Sequence, residues 1–169
     1  MIKSFNNKSP QIDASCYVAE NATIIGDVKI GAESSVWFNA VIRGDVSPTI
    51  IGNGVNIQDL SCLHQSPNQP LIIEDFVTVG HRVTLHSSII REHALIGMDS
   101  TILDGAEIGE YAFIGAGSIV PPGKKIPPRT LAFGRPAKVI RELTDEDYNE
   151  LKRINNSYIE KAKIYKEID

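Results

Sequence analysis

The pattern of branched aliphatic residues along the chain repeats every six positions. The repeated positions are Ile12, Val18, Ile24, Ile30, Val36, Ile42, Ile51, Ile57, Leu63, Ile73, Val79, Leu85, Ile90, Ile96, Ile102, Ile108, Ile114 and Val120. The register gains three residues after Ile42, gains four around residues 66–70 and loses one after Leu85. A six-residue unit is too short for a hairpin, but it suits a short strand followed by a tight bend. Three such units make one triangular turn of a parallel β-helix.

The repeat predicts a mainly β protein whose central domain is a parallel β-helix of six triangular coils over residues 12–125, after an N-terminal segment of residues 1–11. The composition agrees with this fold class, because isoleucine occurs 24 times and leucine only 9 times. Branching at Cβ favours extended backbone over helix. We therefore expect strands over most of the chain.

The last part of the chain has a different pattern. Residues 126–143 contain several prolines and are interpreted as an exit segment, and residues 144–168 are predicted to form a C-terminal α-helix. Thr144 suits the N-cap of this helix, and the three acidic residues after it suit the positive end of the helix dipole. One packing face is indicated by residues spaced three and four apart. Its members are Tyr148, Leu151, Asn155, Tyr158, Ala162 and Tyr165.

Charge and cysteine content exclude several classes of protein. The 169 residues include 17 basic and 21 acidic side chains, a formal net charge of −4, which argues against a nucleic-acid binder with a basic surface. Two cysteines are too few for a disulfide-stapled secreted scaffold. No apolar run approaches ~18 residues, and no export leader is recognised. We expect a cytoplasmic protein without a membrane or nucleic-acid partner.

The repeat register places three polar residues in one outward column. The anchors that should stack on this face in consecutive coils are Ile42, Leu63 and Leu85. The residues that follow them are Arg43, His64 and His86, which should point away from the core with neighbouring strands about 4.8 Å apart. Two imidazoles at one strand spacing can chelate one metal ion. The alternative is that these histidines are ordinary surface residues.

The register puts His81 on the preceding face, above Asp59, so it is badly placed to join His64 and His86 within one prism. A neighbouring copy could supply it across an interface, which implies a closed ring such as a trimer. Three histidines with an open fourth position are typical of catalytic zinc sites. The fourth histidine, His93, lies on another face and coil, and we predict that it takes no part.

Several short segments together resemble the γ-class carbonic anhydrase-like family of hexapeptide-repeat proteins, in particular its short bacterial branch. These segments are residues 41–45 (VIRGD), residues 56–59 (NIQD), and the pairs Leu63-His64, Gly80-His81 and Leu85-His86. The resemblance implies a left-handed β-helix and a homotrimer. It also implies Zn²⁺, with Fe²⁺ or Co²⁺ as alternatives, held by His64 and His86 of one chain and His81 of the next. The implied reaction is the reversible hydration of CO2 to bicarbonate by a metal-bound hydroxide.

The same resemblance assigns roles to six further residues, which are Gln58, Arg43, Asp45, Tyr158, Asn56 and Asp59. Gln58 matches the residue that orients the hydroxide, and Asp59 matches a group that orients a ligand. Asn56 belongs to the same motif. Arg43 and Asp45 match an ion pair across the trimer interface, either near bicarbonate or purely structural. Tyr158 matches a tyrosine near the metal, with helix packing as the alternative.

Two departures from the family pattern concern proton transfer. Archetypal members carry a glutamate beside the aspartate of the VIRGD-like motif and another in an acidic loop, whereas this chain has Val46 and an acid-free loop at residues 66–70. Slow or absent CO2 hydration is therefore expected. The alternatives are a metal-dependent thioester or ester hydrolase, a coenzyme A-dependent acyltransferase that uses one histidine as a base, and a non-catalytic trimeric assembly module.

Overall fold

Three stacked faces of short parallel strands form the body of the protein, described for residues 1–168 by a computed structural model. The first face contains β2 (Gln11–Ile12), the ends of β4 (Thr23–Ile30) and β6 (Val41–Ile51), β9 (Leu71–Ile73), β12 (Ile89–Ile90), β15 (Glu107–Ile108) and β18 (Lys125–Ile126). The second contains β3 (Tyr17–Val18), β5 (Ser35–Val36), β7 (Asn56–Ile57), β10 (Thr78–Val79), β13 (Leu95–Ile96), β16 (Phe113–Ile114), β19 (Thr130–Gly134) and β20 (Ala137–Glu142). The third contains β1 (Ile2–Lys3), the starts of β4 and β6, β8 (Cys62–His64), β11 (Thr84–His86), β14 (Thr101–Ile102) and β17 (Ile119–Val120).

The six-residue anchors stack in register and fill the interior of the prism. On the third face, for example, Ile42 pairs with Leu63 and Leu63 with Leu85. All anchors are buried except Ile12 and Val18, which are partly exposed in the first coil. The fold is a left-handed parallel β-helix, as predicted.

The stack is longer than the six coils predicted from the anchors. Ile126 pairs with Ile108 on the first face, and Ala132 pairs with Ile114 on the second, so the start of the predicted exit segment continues two columns and the structure has about seven turns. Beyond Ala132 the chain reverses, and β20 pairs with β19 in the antiparallel direction. The second face therefore ends on an antiparallel strand.

Helix α1 (Asp145–Ile168) runs back along the prism. Thr144 caps it, since the Asp147 backbone N–H donates to Thr144 Oγ1 (3.3 Å) and the Thr144 backbone N–H donates to the Asp147 carboxylate (2.7 Å). The predicted packing face is confirmed: Leu151, Asn155 and Ala162 are buried, and its three tyrosines are partly buried. Within residues 1–168 there is no helix with both the length and the apolarity that crossing a membrane requires.

A buried asparagine sets the position of α1 against the coils. Asn155 Nδ2 donates hydrogen bonds to the backbone carbonyls of Gly54 (2.9 Å) and Phe76 (3.0 Å), which lie in successive coils. These bonds satisfy both amide protons only at one position of the helix along the prism. The helix register is therefore specified, and Tyr158, one turn further on, is brought beside His81.

Candidate metal centre

His64 and His86 are direct cross-strand neighbours on the third face, as the repeat register predicts. Strand β8 pairs with β11 so that His64 faces His86, and the two ring centroids are 5.3 Å apart. Their nearest ring nitrogens, His64 Nδ1 and His86 Nε2, are separated by 3.2 Å. His64 and His86 are 22 positions apart in sequence, and the chain between them closes one turn of the β-helix.

A carboxylate occupies the far nitrogen of each of these two rings. His64 Nε2 lies 3.1 Å from Asp45 Oδ1, and His86 Nδ1 is hydrogen-bonded to Asp104 Oδ1. An ionised carboxylate only accepts hydrogen bonds, so these far nitrogens carry the protons. The two near nitrogens then present lone pairs to each other at 3.2 Å, an arrangement that suits a cation bound between them.

His81 has the same kind of partner on the neighbouring corner. Its Nδ1 lies 2.8 Å from Asp59 Oδ2, so its Nε2 is left with the lone pair, 3.4 Å from the Tyr158 hydroxyl. Burial, together with the charge of Asp59, raises the pKa of the Tyr158 phenol above its ordinary value. Tyr158 therefore stays protonated at neutral pH and is able to donate a hydrogen bond.

The donor set fits a metal ion. Two nitrogens bound at 2.0–2.1 Å to one tetrahedral ion are separated by about 3.3 Å, close to the 3.2 Å between His64 and His86. Histidine ligands usually give their second nitrogen to a carboxylate or carbonyl, as all three of these histidines do. Among residues 1–168 of one protomer, no three His, Cys, Asp or Glu side chains form a group able to hold a metal.

Gln58 is part of a buried polar chain that leads to the same region. Its Nε2 donates to Asn56 Oδ1 (3.0 Å), and Asn56 Nδ2 donates to Thr78 Oγ1 (2.9 Å). All three side chains are buried on the second face. Gln58 and Thr78 line a cleft of about 350 Å³ together with His81 and Tyr158. The hydrogen bonds through Asn56 therefore fix the Gln58 amide at the wall of this cleft.

Arg43 and Asp45 form an ion pair within one protomer. Arg43 Nη1 lies 2.5 Å from Asp45 Oδ2 on the same strand, while the other oxygen of Asp45 contacts His64. The pair therefore needs no second chain to form, and its predicted position across a subunit interface stays a prediction. What Asp45 does within the chain is to join Arg43 to a candidate ligand.

Asp104 is a functional candidate that was not predicted from the sequence. Its hydrogen bonds with His86 and with Ser66 hold the pKa of the Asp104 carboxyl below its ordinary value. Asp104 follows the anchor Ile102 by two positions, one coil beyond His86, and this register was the signal that could have found it.

His93 lies apart from these groups, in the place that the sequence analysis assigned to it. Its ring is stacked between Phe76 (centroids 5.1 Å apart, planes 8° apart) and Tyr111 (4.5 Å, 18°). Tyr111 in turn meets Tyr148 of α1 edge to face at 5.5 Å. We call Phe76, His93 and Tyr111 the aromatic ladder. The ladder packs against α1, which gives His93 a structural role.

Known proteins resemble the chain over almost its whole length. Residues 87–122 match the family model described as bacterial transferase hexapeptide (six repeats). A carbonic anhydrase of Geobacillus kaustophilus is 67% identical over 98% of this chain and 91% of its own, and an uncharacterized transferase, YtoA, of Bacillus subtilis is 66% identical over 98% and 97%. A crystal structure of a Bacillus cereus protein, provisionally described as an acetyltransferase, superposes with a TM-score of 0.99 at 64% identity over 99% and 98%.

The fold and these matches define a hexapeptide-repeat protein with a left-handed β-helix. The names of the relatives divide between carbonic anhydrase and transferase, so names alone leave the chemistry open. Relatives named as carbonic anhydrases also include a gamma carbonic anhydrase of Arabidopsis thaliana and a probable carbonic anhydrase of Methanocaldococcus jannaschii. The chain belongs to the γ-class carbonic anhydrase-like family.

Proposed function

We propose that the protein is a metal-dependent carbonic anhydrase that interconverts CO2 and bicarbonate. We further propose that it is a homotrimer in which His64 and His86 of one chain and His81 of the next hold Zn²⁺, or Fe²⁺ or Co²⁺. The observation that carries the proposal is the arrangement of His64 and His86, whose lone pairs converge because a carboxylate takes the other nitrogen of each ring. The naming of the Geobacillus relative as a carbonic anhydrase supports the choice of reaction.

The chain's own residues have separable tasks in this proposal. Asp45, Asp104 and Asp59 keep the protons on the far ring nitrogens, so the three ligands are held in the tautomer that binds a cation. When bound, the metal acts as a Lewis acid and lowers the pKa of coordinated water. Gln58 and the Tyr158 hydroxyl, both at the cleft wall, orient the reacting groups by hydrogen bonding. Arg43 offers a positive charge on the His64 side for bicarbonate.

The reaction is tested by anaerobic purification, metal quantification and a CO2 hydration assay on the same sample. We expect about one metal ion per chain, loss of hydration after chelation, and recovery when the metal is returned. Stoichiometric metal with no hydration in any buffer would overturn the reaction but leave the site. A protein that binds no metal under anaerobic conditions would overturn both.

The shared site is tested with two variants that fail for different reasons. His64→Ala and His81→Ala chains should each lose metal alone, and mixed trimers should regain it at interfaces that combine an intact His64 and His86 with an intact His81. Random 1:1 assembly makes about one quarter of the interfaces intact. No recovery, with subunit exchange demonstrated by labelled chains, would place all three ligands on one chain.

A second candidate function, a metal-dependent ester or thioester hydrolase, is favoured by the shape of the cleft beside His81. Its volume of about 350 Å³ is much larger than a triatomic substrate needs. Beyond the polar end at Gln58, His81 and Tyr158, its walls include the apolar side chains Leu95, Met98, Phe113 and Ile154. A short acyl chain would bury apolar surface there.

Hydrolysis is tested by measuring rates with p-nitrophenyl esters of two to eight carbons. For a hydrolase, the rate should rise with acyl length until the cleft is full, and Leu95→Trp should shorten the preferred chain. Rates that do not depend on acyl length would exclude a role for the cleft. Metal quantification separates both candidates from a coenzyme A-dependent acyltransferase, which needs no metal. A protein that binds metal but shows neither hydration nor hydrolysis would leave the trimeric assembly module as the remaining alternative.

A further inference from the structure

The acid-free loop of residues 66–70 is tethered to the strands that carry the candidate ligands. The Ser66 backbone N–H donates to Ser87 Oγ (2.6 Å), and Ser87 Oγ donates to the Gln69 carbonyl (2.8 Å). Ser87 directly follows His86, and its backbone N–H donates to the His64 carbonyl (3.2 Å). The loop is therefore held against the two histidines from one side.

Asp104 is the second tether, and it touches both the loop and a ligand. One carboxylate oxygen accepts from His86 Nδ1, and the other accepts from Ser66 Oγ at 3.0 Å. Each oxygen has one donor, so the carboxylate is a bridge between the His86 ring and Ser66. An asparagine at this position has a single acceptor oxygen, so it could accept from only one of the two donors and would have to donate its amide N–H to the Ser66 hydroxyl to keep the second bond.

We propose that Asp104 is a positioning residue that holds the His86 ring in its ligand orientation and links that orientation to the loop through Ser66. The inference rests on the proposed metal site and adds a function for the loop. The loop of residues 66–70 has no carboxylate of its own, but through Ser66 it holds the Asp104 carboxylate of the next coil. The Ser66 hydroxyl is linked to the His86 ring through Asp104, since it donates to the Asp104 oxygen that His86 does not use.

The proposal is tested by Co²⁺ affinity, measured by competition with a chelator, and by the visible spectrum of the Co²⁺-loaded protein. Asp104→Ala should weaken Co²⁺ binding about 10- to 100-fold and change the spectrum, since His86 is free to rotate. Asp104→Asn keeps the size of the side chain and should give a smaller loss. Ser66→Ala should cost about three- to tenfold. In the Asp104→Ala background, Ser66→Ala should have no further effect.

Ser47→Ala is the matched control. Ser47 Oγ donates to the Ser66 carbonyl (3.0 Å), so this variant loosens the same loop residue without touching Asp104, and its Co²⁺ affinity should equal that of the wild type. An equal loss in Ser47→Ala and Ser66→Ala would mean that general loosening of the loop is responsible, which overturns the proposal. Wild-type affinity and spectrum in both Asp104 variants would overturn it as well. A wild-type protein that binds no Co²⁺ would instead overturn the metal site itself.

Discussion

The His64–His86 pair and His93 lie at different corners of the prism, and the two corners use the same residue type in opposite ways. At the candidate metal site, the rings of His64 and His86 are tilted by 48° and point ring nitrogens at each other. In the aromatic ladder, His93 lies flat between two rings, and its Nε2 is 3.3 Å from Glu92. Side-chain exposure does not distinguish them, since it is 30% for His86 and 32% for His93.

The difference lies in what the coil above and below provides. The neighbours of His86 are another histidine and an aspartate, so His86 interacts with them through its ring nitrogens. The neighbours of His93 are the phenyl ring of Phe76 and the phenol ring of Tyr111, so His93 interacts with them through the faces of its ring. Because coils repeat at a fixed spacing, a side chain in this fold is defined chiefly by the residues one turn away. A histidine in this fold therefore takes its chemistry chiefly from the residues of its own column.

Removing a ligand tests this contrast most strongly. We expect His86→Ala to lower Zn²⁺ affinity by more than about 100-fold, because it removes a donor and leaves the Asp104 carboxylate without its histidine. His93→Ala, an equal truncation at a similarly exposed histidine, should leave affinity unchanged. Competition with a chelating dye measures both. Metal loss in His93→Ala would show that the two corners are coupled.

Proton export should next distinguish the candidate metal site, because the carboxylates beside its three histidines already bond to the rings. Asp45, Asp59 and Asp104 each contact a histidine, and Val46 and the loop add no acid. Hydration of CO2 should therefore be slow in weak buffer and rise with imidazole concentration. Val46→Glu should raise the rate in weak buffer by up to about 10². Val46→Gln is the size-matched control, and a wild-type rate already insensitive to buffer would reveal another proton acceptor.

The ladder should show its contribution in stability. His93→Ala removes two stacking contacts, each worth about 0.5–1.5 kcal/mol for aromatic pairs, and should lower the free energy of unfolding by about 1–2 kcal/mol. His93→Phe preserves the stack and should unfold near the wild-type midpoint. Denaturant unfolding of chelator-treated protein, at one protein concentration, measures the difference. If His93→Ala is as stable as wild type, the stack contributes nothing.

The smallest expected effect concerns the end of α1 next to the ladder. Hydrogen bonds from Arg141 and Thr144 depress the pKa of Asp147 below its ordinary 3.8. A depressed carboxylate pKa stabilises the fold above pH ~4, and this contribution is lost as the pH falls further. Asp147→Asn should therefore be less stable than wild type at pH 7, and this difference in stability should begin to shrink below pH ~4 and shrink further as the pH falls. If the difference in stability between Asp147→Asn and wild type does not depend on pH, the loss comes from packing and not from the charge of Asp147.

The columns of the fold were predictable because each six-residue unit sends its branched side chain inward, whatever the polar residues between. The same counting placed His86 beside His64 despite the irregular loop between them. Handedness was not predictable from spacing and came from the resemblance. The seventh turn was missed because Ala132 is too small to be recognised as an anchor, and proline pairs flank Ile126 and Val120.

The site was predicted less completely, since its supporting residues are defined by contacts across coils. Asp104 lies 18 residues from His86 and belongs to no motif quoted in the sequence analysis. The ladder was also missed, although each of its members follows a first-face anchor by three positions. Single-sequence reading finds the ligands by type and register. It also placed Asp59 beside His81, but it did not find Asp104, because an aspartate one coil away from a histidine carries no signal of its own.

The end of a stacked fold must prevent the addition of further coils. A parallel coil presents a row of unsatisfied backbone groups to any further coil, including one from another molecule. At the far end of this prism, β20 covers the second face with an antiparallel strand whose hydrogen-bond spacing does not match a parallel newcomer. On the other two faces, β17 is followed by Pro121 and Pro122, and β18 by Pro127 and Pro128, which have no N–H to offer. These features disfavour the addition of a further parallel coil, from this or another molecule, at this end of the prism.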